Sequence, residues 1–218
     1  INKAIKKIFL KRKYLSKIIL PNNKDYKKIK LKIDNHYLKS NINDENMSFV
    51  YSFSKLLKIK DKLFINSMKS FKGLPHRFEI FLKNKNILFI NDSKATSFRS
   101  TEVALSSLKN IYWIIGGLPK KGDIIDISKQ KKNIKKCYII GKNIDFFKKQ
   151  IKNKLDYSIT KNLKNSIMQI IKDINLQKNT QISILLSPAA ASFDQFLNFE
   201  KRGQEFKRLC KKYARKFI

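Results

Sequence analysis

Phe89 to Thr101 reads FINDSKATSFRST. A short apolar run stops abruptly at Asn91-Asp92-Ser93-Lys94-Ala95-Thr96, and a helix-like pattern then begins. Polar and small residues crowded at the end of a strand are costly to place unless they hold something. In open α/β sheets, ligands bind beyond the carboxyl ends of strands, where helix N-termini present free N–H donors. The stretch therefore predicts a strand, a ligand loop and a helix, in that order. Two other stretches read as partners of this loop: Gly73-Leu74-Pro75-His76-Arg77 before it and Leu186 to Phe199 (LSPAAASFDQFLNF) after it.

Working outward, Phe78–Leu82 and Asn86–Ile90 predict short strands joined by a hairpin-length link. Ser97 or Ser100 caps a helix through Leu108, with Glu102 suited to its dipole. Strands are then expected at Ile111–Ile115, Tyr138–Ile140, Leu155–Ile159 and Ile182–Leu186. Helices are expected near 126–134 and 143–152, over Leu163–Ile174, and from about Asp194 onward. Strands alternating with helices of this size predict an α/β fold with a mainly parallel sheet covered on both faces. Before this region, Lys28–Ile33 (KIKLKI) alternates charge and hydrophobe and predicts a half-exposed strand. Asn43–Lys58 places Met47, Val50, Phe53, Leu56 and Leu57 at helical spacing, with Asn43 or Asp44 as N-cap. Asp61–Phe71 repeats the pattern with Leu63, Phe64, Met68 and Phe71, giving a helical hairpin. The Gly-Leu-Pro turn at 73–75 is the expected domain boundary, since Gly ends helices and the residue before Pro leaves the helical region.

The chain has 218 residues, enough to bury a real core. Its net charge of +33 raises the possibility of a nucleic-acid partner. Against that, only six of its 49 basic residues are Arg, and the lysines are spread along the whole chain. Bidentate recognition of phosphates or bases would favour Arg, so nucleic acid is not the expected partner. No run of apolar residues is long enough for membrane insertion, and the basic opening INKAIKKIFLKRKYL does not read as a secretory signal. Ile1 in place of Met predicts a piece of a longer chain. Cys137 and Cys210 are isolated thiols, and His36 and His76 lack companion ligands, which fits a reduced compartment and no zinc site.

Gly117 to Gly122 follows a strand and matches G-x-x-x-x-G, but Asp123-Ile124 stands where a phosphate loop needs Lys-Ser or Lys-Thr. A dinucleotide G-x-G-x-x-G is absent. Ser187 and Ser192 have no nucleophile elbow and no paired His; Ser192 reads instead as an anion contact at the start of the final helix. Asp92 beside Lys94 and Thr96 reads either as a surface turn with a weak salt bridge or as a ligand loop. Arg77, Lys94, Thr96 and Lys120, all at strand ends, favour a carboxylate or phosphate ligand.

Taken together, GLPHRFE at 73–79, NDSKAT at 91–96, Gly116-Gly117 with Lys120, SPAAASFDQF at 187–196 and NFEKRG at 198–203 resemble the D-glutamate-adding Mur ligases. The resemblance runs from about residue 40 to 210. It implies that residues 1–74 end a central ATP-binding domain and that 75–218 form a Rossmann-like, D-glutamate-binding domain. It further implies cytoplasmic, monomeric action in peptidoglycan precursor synthesis. ATP activates the carboxylate of UDP-N-acetylmuramoyl-L-alanine as an acyl phosphate, and the amine of D-glutamate attacks it. By the same resemblance, Lys94, Thr96, Lys120, Ser192, Phe193 and Phe199 hold D-glutamate, while Asn43, Asn46, Arg77 and Asp92 contact ATP. Lys94, Lys120 and His76 are the implied catalytic groups, His76 near the domain hinge. Mg2+ and ATP are bound mainly by other parts of the enzyme, with no metal ligand in this chain. The family's phosphate loop is absent, Ile42 replaces a His, Ser97 replaces an Asn, and Leu118-Pro119 replaces a more polar loop. A sister Mur ligase adding another amino acid is the alternative within the enzyme class.

Overall fold

A computed structural model describes residues 21, 23–35, 38, 44–174 and 180–214. The chain divides into two compact units between Gly73 and Leu74.

The described part of the first unit contains helices α1 (Asn23–Lys30), α2 (Asp44–Leu56) and α3 (Asp61–Lys69). Tyr26, Ile29, Ile33, Leu38, Met47, Tyr51 and Phe64 form its core. The strand expected at Lys28–Ile33 is instead the end of α1 and the turn after it. Ile29 and Ile33 are buried while Leu31 is 92% exposed. A spacing of four thus outweighs the alternation of two. Asn35 Nδ2 closes the end of α3 by donating to Met68 O at 2.8 Å and Phe71 O at 2.7 Å. On α2 the expected apolar face is also corrected. Asp44, Met47, Ser48, Tyr51 and Ser54 face inward, whereas Val50, Phe53 and Leu56 are exposed, as is Leu57 just past the helix. Likewise Phe64 of α3 is buried and Leu63 is not.

The second unit is a six-stranded sheet in the order β1-β2-β6-β3-β4-β5. Its strands are β1 (Glu79–Asn84), β2 (Ile87–Asn91), β3 (Ile111–Gly116), β4 (Ile134–Ile140), β5 (Tyr157–Lys161) and β6 (Ile182–Leu186). Only β1, hairpinned to β2, runs antiparallel. Helices α4 (Phe98–Ser107) and α5 (Ile144–Ile151) cover one face, and α6 (Leu163–Asp173) and α7 (Phe199–Tyr213) cover the other. Successive residues of β3 alternate between the two layers: Ile111, Trp113 and Ile115 pack with α4 and α5, Tyr112 and Ile114 with α6 and α7. All of β3 and β6 is buried, as expected for strands inside a parallel sheet.

Several boundaries differ from the sequence expectation, β1 and β2 among them, which run Glu79–Asn84 and Ile87–Asn91. The helix expected near 126–134 is only a 3-10 turn at Lys131–Asn133. Strand β4 starts earlier, at Ile134, and β5 lies two residues later than expected. Helix α7 starts at Phe199 rather than near Asp194, where Asn198 Oδ1 accepts from Lys201 N at 2.8 Å. An Asn N-cap there satisfies an orphan donor that Asp194 does not reach. Asp194 is occupied elsewhere, its Oδ2 accepting from Lys142 N at 2.9 Å.

Candidate functional site

Strands β2, β6 and β3 are neighbours, so the loops after Asn91, Leu186 and Gly116 converge at one sheet edge. Backbone bonds stitch them together. Asp92 N donates to Leu186 O at 2.8 Å, and Gly116 N to Pro188 O at 3.0 Å. Leu118 and Ala191 exchange bonds at 2.8 and 3.0 Å.

Asp92 lies at the centre, 9% exposed. Its Oδ1 accepts from Phe78 N at 3.0 Å and its Oδ2 from Ser187 Oγ at 2.7 Å. Ser187 Oγ is also 2.9 Å from Thr101 Oγ1, and its carbonyl accepts from the buried Trp113 indole at 2.7 Å. Burial pushes the Asp92 carboxyl up to about 6, against the lowering effect of Ser187, Phe78 N and the Arg77 charge. A carboxyl with a folded pKa above its unfolded value stabilises the fold at low pH. That contribution is complete below the unfolded value near 4 and is lost as pH rises through about 6. Asp92→Asn keeps an acceptor for Phe78 N and removes the titration. The stability of the Asn variant relative to the parent is therefore expected to improve by roughly 3 kcal/mol between pH 4 and pH 7. Urea unfolding across that range measures it, and a pH-independent difference would reject the buried, titrating carboxyl.

The GLPHRFE segment docks against this loop. His76 is 7% exposed with φ 62, and its carbonyl accepts from Lys94 N at 3.0 Å. Its Nδ1 lies 2.8 Å from Asn91 Nδ2 and its ring meets Phe199 edge-on. Glu79 joins the cluster by accepting from His76 N and Asn91 Nδ2, and it pairs with Lys207 of α7. Gly203 makes room for His76: a Cβ there would sit 2.2 Å from Nδ1.

Lys94 is half-buried, its Nζ 3.7 Å over the centre of the Phe199 ring. The contact holds a flexible ammonium at the mouth of the loops. Thr96 is half-buried on the same loop, Lys120 is exposed after Gly116-Gly117, and Phe193 is 70% exposed. Ser192 is 2% exposed and does not begin a helix; its carbonyl accepts from Gln195 N and Phe196 N in a turn before α7. Arg77 is exposed. Asn46 is an exposed residue of α2 in the first unit, and Asn43 lies outside the described residues, as does His36. Asp123, the residue that spoils the phosphate-loop pattern, accepts from Phe98 N at 3.0 Å and so caps α4.

Sequence reasoning gave no role to Arg202 beyond its place in the NFEKRG motif. The residue is 1% exposed and bonds to the loops after β2 and β6 and to the last residue of β3. Its signal was present: it occupies an inward position on a helix whose other buried residues are Gly203, Phe206, Leu209 and Cys210.

Comparison with known proteins places this arrangement. The chain is 40% identical over 200 residues to the UDP-N-acetylmuramoylalanine--D-glutamate ligase of the Wolbachia strain from Brugia malayi, covering 88% of this chain and 40% of that protein. It is 42% identical over 189 residues to the ligase of the same name from Wolbachia pipientis wMel, covering 84% and 37%. The chain is homologous to part of the D-glutamate-adding Mur ligases. A ligase of the same name from Rickettsia felis is 38% identical over 181 residues. The chain spans about two fifths of the length of these curated relatives. No family model matches it. Among solved structures, UDP-N-acetylmuramate-alanine ligase from Thermotoga maritima superposes with a TM-score of 0.51 at 16% identity, over 79% of this chain and 38% of that one. A bifunctional folylpolyglutamate synthase/dihydrofolate synthase from Yersinia pestis, complexed with AMPPNP and Mn, gives 0.51 at 12%, over 78% and 39%. These two establish a Mur ligase-like α/β fold. Among the described residues no helix is long and apolar enough to cross a membrane.

Proposed function

We propose that this chain carries the D-glutamate site, and part of the ATP site, of a ligase that joins D-glutamate to UDP-N-acetylmuramoyl-L-alanine. The observation that carries the reading is the convergence of the Lys94, Lys120 and Ser192 loops in a chain homologous to ligases of that name. D-glutamate brings two carboxylates, which Lys94 and Lys120 neutralise while the hydroxyls of Thr96 and Ser192 fix orientation. Phe193 and Phe199 supply apolar walls. His76 acts behind this layer, positioning Lys94 through its carbonyl and Asn91 through its ring.

ATP is the substrate that activates the carboxylate of UDP-N-acetylmuramoyl-L-alanine. The amine of D-glutamate then attacks the activated carbonyl, and phosphate leaves as the amide forms. Holding the amine against that carbonyl is mainly a positioning task, and nearby cations stabilise the developing charge. Asp92 has one further lone pair on each oxygen for a nucleotide hydroxyl, and Arg77 offers an exposed guanidinium for its phosphates. Asn43 and Asn46 enter as nucleotide contacts on the sequence resemblance alone. No three His, Cys, Asp or Glu side chains gather among the described residues. Mg2+ is assigned to the rest of the ligase on the sequence resemblance, and no step is derived through it.

The phosphate-binding loop belongs to that same remainder. Supporting this, α2 turns Val50, Phe53 and Leu56 outward while burying Asp44, Ser48 and Ser54. A helix with its apolar stripe in water fits the end of a larger domain. The ligase acts on small molecules, as a cytoplasmic monomer in this reading.

The test is a titration of the 218-residue chain. D-glutamate is expected to shift the amide resonances of Lys94, Thr96 and Leu118 with weak affinity, and L-glutamate to shift them less. Identical responses to both enantiomers, or none, would reject the site. ATP turnover by the chain alone would overturn the assignment of the phosphate loop to another part.

A further inference from the structure

Arg202 lies in the first turns of α7 and donates to neutral groups only. Its Nε reaches Ser93 Oγ at 3.0 Å, and Nη2 reaches Ser93 O and Ala190 O, both at 2.9 Å. Nη1 stands 3.5 Å from Gly116 O. Ser93 and Ala190 lie in the loops after β2 and β6, and Gly116 is the last residue of β3, the three strands whose loops make the site. Burial draws the guanidinium down to about 10, partly offset by the charge of Asp194, so it stays protonated at neutral pH.

A buried cation without a bonded carboxylate is costly and is a poor device for stability alone. What a guanidinium supplies is geometry, because its planar fork demands acceptors at fixed positions. The same stretch of α7 acts twice more on one loop. Phe199 O accepts from Ser93 Oγ at 2.8 Å, and the Phe199 ring lies under Lys94 Nζ at 3.7 Å.

We propose that Arg202 is a positioning residue: it sets the spacing of the three loops, and through Ser93 the placement of Lys94, without touching the ligand. The inference rests on the D-glutamate reading only for the identity of that ligand. Lysine in its place keeps the charge but offers a single donor centre, so it cannot hold Ser93 and Ala190 at once in the same geometry.

Amide hydrogen exchange in the 218-residue chain and in its Arg202→Lys variant tests this. The informative amides are those bonded across the loops: Lys94 to His76 O, Gly116 to Pro188 O, and the mutual pair Leu118 and Ala191. They are expected to exchange at least about tenfold faster in the variant. Cys137, bonded to Asp156 O, and Ile174, bonded to Ile170 O, lie away from the loops and are expected to keep their rates. In parallel, D-glutamate affinity is expected to fall at least about tenfold, the size of one lost charge-assisted contact. Unchanged loop exchange would overturn the proposal. Equal acceleration everywhere would overturn it too, since that is general destabilisation. Failure of the parent chain to bind D-glutamate would defeat the substrate reading, while exchange would still decide the clamp. If Arg202→Lys does not fold, Ser93→Ala removes one acceptor and leaves Arg202 in place. The same loop amides must then accelerate over the controls, and unchanged rates would overturn the proposal.

Discussion

Substituting Gly116 by alanine is expected to cost the second unit roughly 3–5 kcal/mol, combining overpacking with backbone strain. A Cβ at this position would lie 2.0 Å from Ile140 O and 2.8 Å from its carbonyl carbon. Both obstacles are backbone of the adjacent strand, with Gly116 paired to Ile140 in the β3–β4 register. Neither can move without breaking the ladder. The residue also has φ +136, a conformation that alanine adopts only under strain. Gly122 provides the comparison: its φ is +77, yet a Cβ there meets nothing within 4 Å. Gly122→Ala is expected to cost about 1 kcal/mol, the backbone contribution without the collision. Urea unfolding followed by the fluorescence of buried Trp113 reads both variants. Equal stability of Gly116→Ala and the parent would show that β3 and β4 do not approach as described.

Replacing Lys94 by methionine is expected to weaken D-glutamate binding by about tenfold to a hundredfold, the range of a lost charge-assisted hydrogen bond. Lys94 is singled out over Lys120 because it is preorganised. Its ammonium sits on the Phe199 ring and its backbone N–H is fixed to His76 O. Lys120 stands exposed on its loop and must lose more side-chain freedom on binding. The expected order of loss is therefore Lys94→Met above Lys120→Met. In a full-length ligase carrying this unit, the same order should appear in KM for D-glutamate, with KM for ATP little changed. Isothermal titration of the chain and steady-state kinetics of the ligase measure the two. A Lys94→Met variant that binds like the parent would remove this residue from the site.

Much of the fold was legible in the sequence where the signal is local. The hairpin Glu79–Asn91, strand β6 and helix α6 follow from apolar periodicity and turn chemistry. Helix α4 does start after Ser97, but the Ser97 side chain makes no cap bond and Asp123 supplies the acceptor instead. The errors share one cause. KIKLKI alternates as a strand should, yet it ends α1, because Tyr26, Ile29 and Ile33 find a helical partner surface in α2 and α3. On α2 the apolar count selected the wrong face, because burial depends on what lies opposite. Asp194 reads as a helix start until Lys142 N is seen to claim its carboxylate.

The motifs in their order, the strand–helix alternation and the lack of a phosphate loop were decided by the sequence itself. They are contiguous patterns, and contiguous residues share one local geometry. Tertiary structure alone decided that three loops distant in sequence meet at one sheet edge. It also decided that Asp92 is buried between Phe78 N and Ser187, that Asp123 caps α4, and that Arg202 bonds to Ser93, Gly116 and Ala190. Such roles depend on strand order in the sheet, which sets the neighbours of each side chain and the water it loses. A stretch such as NDSKAT can say that it is a ligand loop. Only the packed sheet says which of its side chains still face outward to meet a ligand.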